Sequence, residues 1–332
     1  MIEFAAIGIL VLFYFDLVFK MHDVKVAIIG ECMLELRKAE GGIEQAFGGD
    51  TLNTALYMSR LAEQNGQPMQ VSYFTALGTD SLSDEMLAAW EHENIDTSHV
   101  CRYSDKLPGL YMIENRPCGE RDFYYWRSDA AVREWLNRED IESLYQTLKN
   151  YDLIYLSGIT LAILTASQCS VFSSLLERLK MSGCLIAFDT NYRPSLWVTK
   201  AQAQQRFKHL YRLADIALLT FEDEQLLFGD ESSQETLQRL EPFNIDQLVL
   251  KSGAKGCLVV ANGHQEWVST LPVSQVVDTT AAGDSFNAGY LYQWLTSRDV
   301  NQAARAGHIL AGTVIQHKGA VIALNKMPLI SF

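Results

Sequence analysis

The chain has 332 residues, 48% hydrophobic and 20% charged, with a formal net charge of −13 and a pI near 5.0. That length and apolar content suit one large globular domain with a sizeable core. The acidic balance excludes a broad basic footprint for nucleic acid, and any anionic ligand must be met by locally concentrated cations.

Residues Phe4 to Phe15 are uncharged and mostly apolar, and Asp16 interrupts the run. The stretch is shorter than the ~20 residues a spanning helix needs. No basic region precedes it and no small-residue cleavage site follows it, so a secretory signal does not fit. Met21 stands just before a clean strand pattern. Residues 1–20 are therefore expected to be an extension outside the domain, with Met21 as the native start; an interfacial anchor is the alternative.

From Val24 the pattern alternates. Continuous apolar runs at Val24–Ile29, Val71–Leu77, Leu153–Leu156, Leu185–Phe188, Ile216–Leu219 and Leu248–Leu250 read as strands buried on both faces. Helical stretches fall between most of them, at Leu52–Gln64, Ser83–Glu93, Glu139–Leu148, Ser167–Met181 and Ala201–Leu213. Two further helices, Gly283–Leu295 and Asn301–His317, close the chain. Strand–helix alternation predicts a mainly parallel sheet with helices on both faces. Residues 33–47, through Gly41-Gly42, and 105–127, around a Pro-Cys-Gly turn, read instead as β-rich. They are expected to form a small β-sheet projecting over the main domain of residues 21–332. The six cysteines, at 32, 101, 118, 169, 184 and 257, contain no C-x-x-C pair. Zinc-ribbon and dithiol-redox readings fail on that spacing, and scattered thiols point to a reducing, cytoplasmic setting.

Two segments carry chemistry. In Asp278 to Tyr290 (DTTAAGDSFNAGY), the small residues Ala281, Ala282 and Gly283 let backbone amides approach an anion where a helix begins. Asp284 then sits at the helix start, as a base for an attacking hydroxyl or as a plain helix cap. In Phe47 to Asn53 (FGGDTLN), Gly48 and Gly49 precede Asp50 and Asn53 at another helix start. That arrangement suits a polyhydroxylated ligand, or again a capping loop.

Together the two segments resemble the signature regions of the ribokinase-like, or PfkB, carbohydrate kinases, over about residues 24–325. The resemblance implies a three-layer α/β/α sandwich with a mainly parallel central sheet and a small β-sheet lid. Within the family, GGDTLN at 48–53, LPGLY at 107–111, YYWR at 124–127 and DTNYRPSLW at 189–197 resemble the 2-keto-3-deoxygluconate kinase subgroup. The resemblance implies phosphorylation of that sugar acid at its 6-hydroxyl by ATP, with Asp284 as base and Ala281, Ala282 and Gly283 as the anion hole. It places Gly48, Gly49, Asp50 and Asn53 on the sugar hydroxyls, and Tyr111, Tyr125 and Arg127 on the acid end. A carboxylate substrate requires such a cation, although Arg127 also reads as a surface ion pair.

For ATP, the resemblance implies Asn191 and Arg193 near the phosphates, with Lys251, Ser252, Gly253 and Gly256 along the nucleotide. His308 is implied near the adenine or as a buried helix histidine. Where many members carry Asn-x-x-Glu to organise Mg²⁺ through water, this chain has Thr220 to Glu224 (TFEDE), leaving Asp223 or Glu224 for that task. Asp278 and Thr280 are candidates for a monovalent cation. Pairing of two copies through aromatic lid residues is a further expectation. A fructokinase or another sugar kinase of the family is the alternative activity. A dinucleotide-dependent oxidoreductase lacks its G-x-G-x-x-G, and a P-loop kinase its G-x-x-x-x-G-K-[ST]. A sugar sensor without catalysis has no need of Asp284.

Overall fold

A computed structural model describes residues 23–39, 42–115 and 121–330. The expected extension at 1–20, the proposed start Met21, Gly41 and Cys118 lie outside the described residues. The strands are β1 (Val24–Ile29), β2 (Met33–Ala39), β3 (Gly42–Gly48), β4 (Met69–Gly78), β5 (Val100–Tyr103), β6 (Gly109–Asn115) and β7 (Arg121–Trp126). They continue with β8 (Leu153–Ser157), β9 (Leu185–Asp189), β10 (Ile216–Thr220), β11 (Gln247–Lys251), β12 (Cys257–Ala261) and β13 (His264–Val268).

Nine strands form one sheet in the order β13-β12-β11-β10-β9-β8-β1-β4-β5. Pairing is parallel from β5 to β11, and only the edge pairings β11–β12 and β12–β13 are antiparallel. The central strands are apolar on both faces because both faces are covered. In β1, Val26 and Ile28 join one core with Tyr57, Tyr73 and Tyr290, while Ala27 and Ile29 join the other with Phe172, Phe188 and Phe207. The expected three layers follow, with the helices Asp50–Gln64 and Ala282–Ser297 on the first side and Ala166–Met181 and Lys200–Leu213 on the second.

Local capping explains several boundaries. The helix expected from Glu139 begins at Ile141, because the Asp140 side chain accepts from Ser143 N. Thr165 and Gln168 form a capping box at the head of Ala166–Met181. The edge hairpin β12–β13 was absent from the sequence expectations. Its signal is Asn262-Gly263, both at positive φ (52° and 75°), the pattern of a tight two-residue turn between strands.

The β-rich segments make a separate four-stranded sheet, β3-β2-β6-β7. It is mixed: β2–β3 and β6–β7 are antiparallel hairpins, and β2 pairs with β6 in parallel. Its edge strand β7 exposes Phe123 and Tyr125 on the face toward the cavity and Tyr124 and Trp126 on the other.

Candidate active site

A cavity of about 670 Å³ opens where the parallel strands end and the small sheet meets them. Ligands of open α/β sheets bind at the carboxyl ends of strands, because there the loops diverge and polar groups can face one space. Here β9, β10 and β11 end on Asp189, Thr220 and Lys251, and all three line the cavity. The chain leaving β1 adds Glu31, and the small sheet adds Gly48, Tyr111 and Tyr125. Arg127 follows directly on β7.

One wall is the head of the helix Ala282–Ser297. No side chain caps it; the Ala282 amide donates to the Thr279 carbonyl at 3.2 Å, which leaves the first-turn amides of Gly283 and Asp284 at the cavity wall for an occupant. Ala281 precedes them in the left-handed region at φ 59°, a conformation that costs an L-residue ~1–2 kcal/mol and sharpens the turn into the helix. Asp284 accepts a 2.7 Å hydrogen bond from Asn53 Nδ2. Desolvation first, then the Asp50 charge, raises its pKa well above the carboxylate range. Lys251 Nζ donates to Asp189 Oδ1 at 3.2 Å and Asn287 Oδ1 at 2.9 Å, and Asn287 in turn donates to the Tyr155 hydroxyl at 3.1 Å.

The opposite wall begins at the helix Asp50–Gln64. Gly49 brings the chain against β1's exit so closely that a Cβ there would lie 2.3 Å from the Glu31 carbonyl oxygen. Asp50 is buried, with Oδ2 accepting from Asn191 Nδ2 at 2.6 Å. Burial raises its pKa, against the hydrogen bonds from Ser157 and Asn191. Arg127 is buried too, donating from Nη2 to Glu31 Oε2, with its guanidinium 5.9 Å from the Tyr125 ring centroid. The ion-pair reading of Arg127 thus holds in part, but the pair is buried in the cavity wall rather than on the surface. Tyr111 lines the cavity with its hydroxyl committed to Glu35, so its ring is what a ligand meets.

Arg193 is half-exposed at the rim, 4.0 Å from Asp223 Oδ1. Asp223 also accepts from Tyr192 N at 3.1 Å, and burial pushes its pKa up to about 6 against the Arg193 charge. Glu224, offered as its alternate, points the other way. Its two oxygens accept from the Tyr211 hydroxyl at 2.8 Å and Arg239 Nη2 at 2.6 Å, and the side chain is fully buried. On a helix, consecutive residues face different directions, so only one of the two acids can reach the cavity.

Ser252, Gly253 and Gly256 form a tight turn between β11 and β12, closed by Ser252 N to Gly256 O at 2.8 Å, and do not line the cavity. His308 lies outside it as well. Its Nε2 is 3.1 Å from the Val268 carbonyl and 3.4 Å from Cys257 Sγ, so the buried helix histidine is the placement found. Asp278 ties its own loop, accepting from Thr280 N at 3.0 Å, Thr280 Oγ1 at 2.6 Å and Gly319 N at 3.0 Å.

Residues 23–327 match the model of the pfkB family carbohydrate kinases. The chain belongs to this family. It is 45% identical over 311 residues to a 2-dehydro-3-deoxygluconokinase of Dickeya dadantii, covering 93% of this chain and 100% of that one. It is 44% identical to a 2-dehydro-3-deoxygluconokinase of Escherichia coli K12, covering 92% and 99%. Among solved structures, a 2-dehydro-3-deoxygluconokinase of Thermotoga maritima superposes with a TM-score of 0.78 at 20% identity, over 92% and 97% of the two chains. The ribokinase-like α/β fold expected from the motifs is the fold of this carbohydrate kinase.

Glu31, Asp189 and Asn287 were given no role by the sequence reading, although Asp189 and Asn287 lie inside its motifs. Glu31 and Asp189 each stand at the carboxyl end of an apolar strand, which is the signal that marks them. The assembled arrangement offers one carboxylate with raised proton affinity beside uncapped helix amides, and a buried guanidinium in the same space. Those are the parts needed to bind an anion, accept a proton and hold a second anion.

Proposed function

We propose that the protein transfers the γ-phosphoryl group of ATP to the 6-hydroxyl of 2-dehydro-3-deoxygluconate, the 2-keto-3-deoxy sugar acid, giving its 6-phosphate and ADP. The observation that carries this reading is Arg127, a buried guanidinium in the cavity that also holds Asp284. A neutral sugar gives no use for a buried cation, whereas a carboxylate receives a charge-assisted hydrogen bond from it. The names of the relatives support the same substrate.

In this reading Gly48, Gly49, Asp50 and Asn53 hold the sugar, and the rings of Tyr111 and Tyr125 close over it from the small sheet, which acts as a lid. Asp284 takes the proton of the 6-hydroxyl as that oxygen bonds to the γ-phosphorus, and the β–γ bridging oxygen leaves with ADP. The amides at Ala281 and Gly283 receive the charge on the transferring oxygens, that of Ala282 being bonded to the Thr279 carbonyl, and Arg193 and Asn191 flank them. The nucleotide extends outward over the Ser252–Gly256 turn. Lys251 holds the floor through Asp189 and Asn287.

The residues present also fit Mg²⁺. Among the described residues no group of three or more His, Cys, Asp or Glu is built to hold a metal. A single carboxylate at the rim, Asp223, suits an ion held chiefly by phosphates and water. Bound there, Mg²⁺ neutralises phosphate charge. Glu224 has no part in this.

The setting proposed is the cytoplasm. The five cysteines among the described residues are free thiols, and among those residues no helix is long and apolar enough to cross a membrane. Pairing of two copies through the exposed aromatic surface of the lid is part of the proposal. A coupled ATP-consumption assay across sugar acids and neutral hexoses tests the activity. Turnover of fructose exceeding that of the keto-acid would replace this reading with the fructokinase alternative.

A further inference from the structure

Glu31 has no role in the mechanism above, yet it is among the most buried charges of the molecule, 2% exposed, and it lines the cavity. Its Oε2 is taken by Arg127. Its Oε1 is buried and, among the described residues, has no hydrogen-bond partner, and the same holds for Arg127 Nε. A purely structural ion pair explains this poorly. Buried pairs stabilise a fold only when their remaining polar atoms are also satisfied. An unsatisfied buried charged oxygen is costly, and native structures keep few of them.

Gly109 packs directly against Oε1. A Cβ built on Gly109 would stand 2.9 Å from it, so any side chain at that position of β6 would press on this oxygen. The pair therefore leaves one acceptor on Glu31 and one donor on Arg127 unpartnered, both closed off from solvent in the wall of one cavity. The ligand that completes it presents a hydroxyl hydrogen and a carboxylate or carbonyl oxygen close together. A polyhydroxylated 2-keto acid has both and brings the charged acceptor that a guanidinium binds most strongly; a simple keto-acid leaves the acceptor on Glu31 unmatched.

Resting on the substrate class proposed above, we infer that Glu31 is a specificity-determining residue, its Oε2 aiming Arg127 while its Oε1 accepts a hydroxyl of the bound sugar acid. The enzyme thus reads a hydroxyl and the acid group as a unit. Glu31 also keeps Arg127 from standing as a lone buried cation before the substrate arrives, and it sets a like charge against acids that bring no hydroxyl to offset the repulsion.

The test is steady-state kinetics of Glu31→Gln and Glu31→Ala on the sugar acid and on its 4-deoxy and 5-deoxy analogues, with the KM for ATP and the thermal midpoint measured alongside. Gln turns its amide oxygen to Arg127 and its NH₂ toward the ligand, so the Arg127 contact persists while the acceptor is lost. Removing a hydrogen bond to a charged group is expected to raise KM for the acid about tenfold or more, with kcat and the KM for ATP changed much less. Against one of the two deoxy analogues the wild type should already carry that loss, and Glu31→Gln should add little to it. A KM for the acid within about twofold of wild type, or an equal penalty on both analogues, overturns the inference. So does a loss shared equally by the KM for ATP and accompanied by a lower midpoint, which marks a scaffold residue. If the wild type itself does not phosphorylate the acid, the underlying substrate reading falls; if the wild type does and the Glu31 variants are indifferent, only this inference falls.

Discussion

Asp284→Asn separates a base from a helix cap. Asn keeps the shape, its side-chain oxygen can still accept the 2.7 Å hydrogen bond from Asn53, and Asn serves a helix start as well as Asp does. Only the proton-accepting charge is removed. General-base catalysis typically contributes ~10²–10⁴-fold, equivalent to ~2.7–5.4 kcal/mol of barrier, and kcat should fall by that factor. Nucleotide affinity, measured by titration calorimetry, should be unchanged. The same substitution should stabilise the fold. Below the ordinary carboxylate pKa, folded and unfolded chains both hold the proton, and Asp284 costs nothing. As pH rises through that value, the unfolded chain releases the proton while the folded chain, its pKa raised by burial and by Asp50, retains it. Stability is lost across that window, so at neutral pH the wild type carries a penalty that Asn does not. One pKa unit is ~1.4 kcal/mol, which translates to a rise of ~2–4 °C in Tm. The expected signature is therefore an inactive protein with a higher Tm. Activity above about a tenth of wild type removes Asp284 from the base role. Lost activity with a lower Tm would mean that the carboxylate holds the helix start.

Arg127→Ala should raise KM for the sugar acid in steady-state assays and lower Tm, because it leaves Glu31 buried without its cation, a loss of ~3–5 kcal/mol for comparable pairs. Asp223→Asn should raise the Mg²⁺ concentration needed for half-maximal activity, whereas Glu224→Gln should leave that titration alone and lower Tm by weakening the contacts to Arg239 and Tyr211. The acid limb of kcat/KM should lie above the ordinary carboxylate range, with activity lost as pH falls, and Asp50→Asn should move it to lower pH by removing a charge that raises the Asp284 pKa.

Much of this was legible before the structure, for identifiable reasons. The strands of the main sheet are buried on both faces and so appear as uninterrupted apolar runs such as VKVAII at β1. Asp284 and Asp50 stand out because small residues precede a charge at a helix start, a pattern that suits either an anion site or a cap. What stayed hidden depends on direction and on distance along the chain. Asp223 and Glu224 are adjacent, and only the helix phase sends one to the cavity and the other to Arg239. Arg127 and Glu31 are 96 residues apart, so neither the pairing nor its burial follows from local pattern. His308 was evenly balanced between two places until Cys257 and Val268 were seen around it. The edge hairpin was missed although its Asn-Gly turn was in plain view, because β13 is exposed over most of its length and carries little apolar signal.

The charges of the cavity follow a rule that no single motif states. Each cation is set against a carboxylate: Arg127 against Glu31, Lys251 against Asp189, and Arg193 against Asp223. Two carboxylates remain, Asp50 and Asp284, and each is met by an amide instead, from Asn191 and Asn53. An amide orients a carboxylate without adding a positive charge, so it stabilises the ionised form far less than a cation does. Burial raises the proton affinity of both amide-held acids, and the Asp50 charge adds to that of Asp284. A base that must take a proton from an alcohol gains from such surroundings, while a guanidinium in Asn53's place would hold Asp284 equally well and weaken it as a base. Of the pair, only Asp284 also stands at the uncapped head of the Ala282–Ser297 helix, where the transferring phosphoryl group is proposed to lie. Asp50 lies on the opposite wall, with Asn191 and Ser157 on its carboxylate, where the sugar is proposed to bind. The choice of base therefore rests on the place of Asp284 at that helix head, together with the burial and the Asp50 charge that raise its proton affinity.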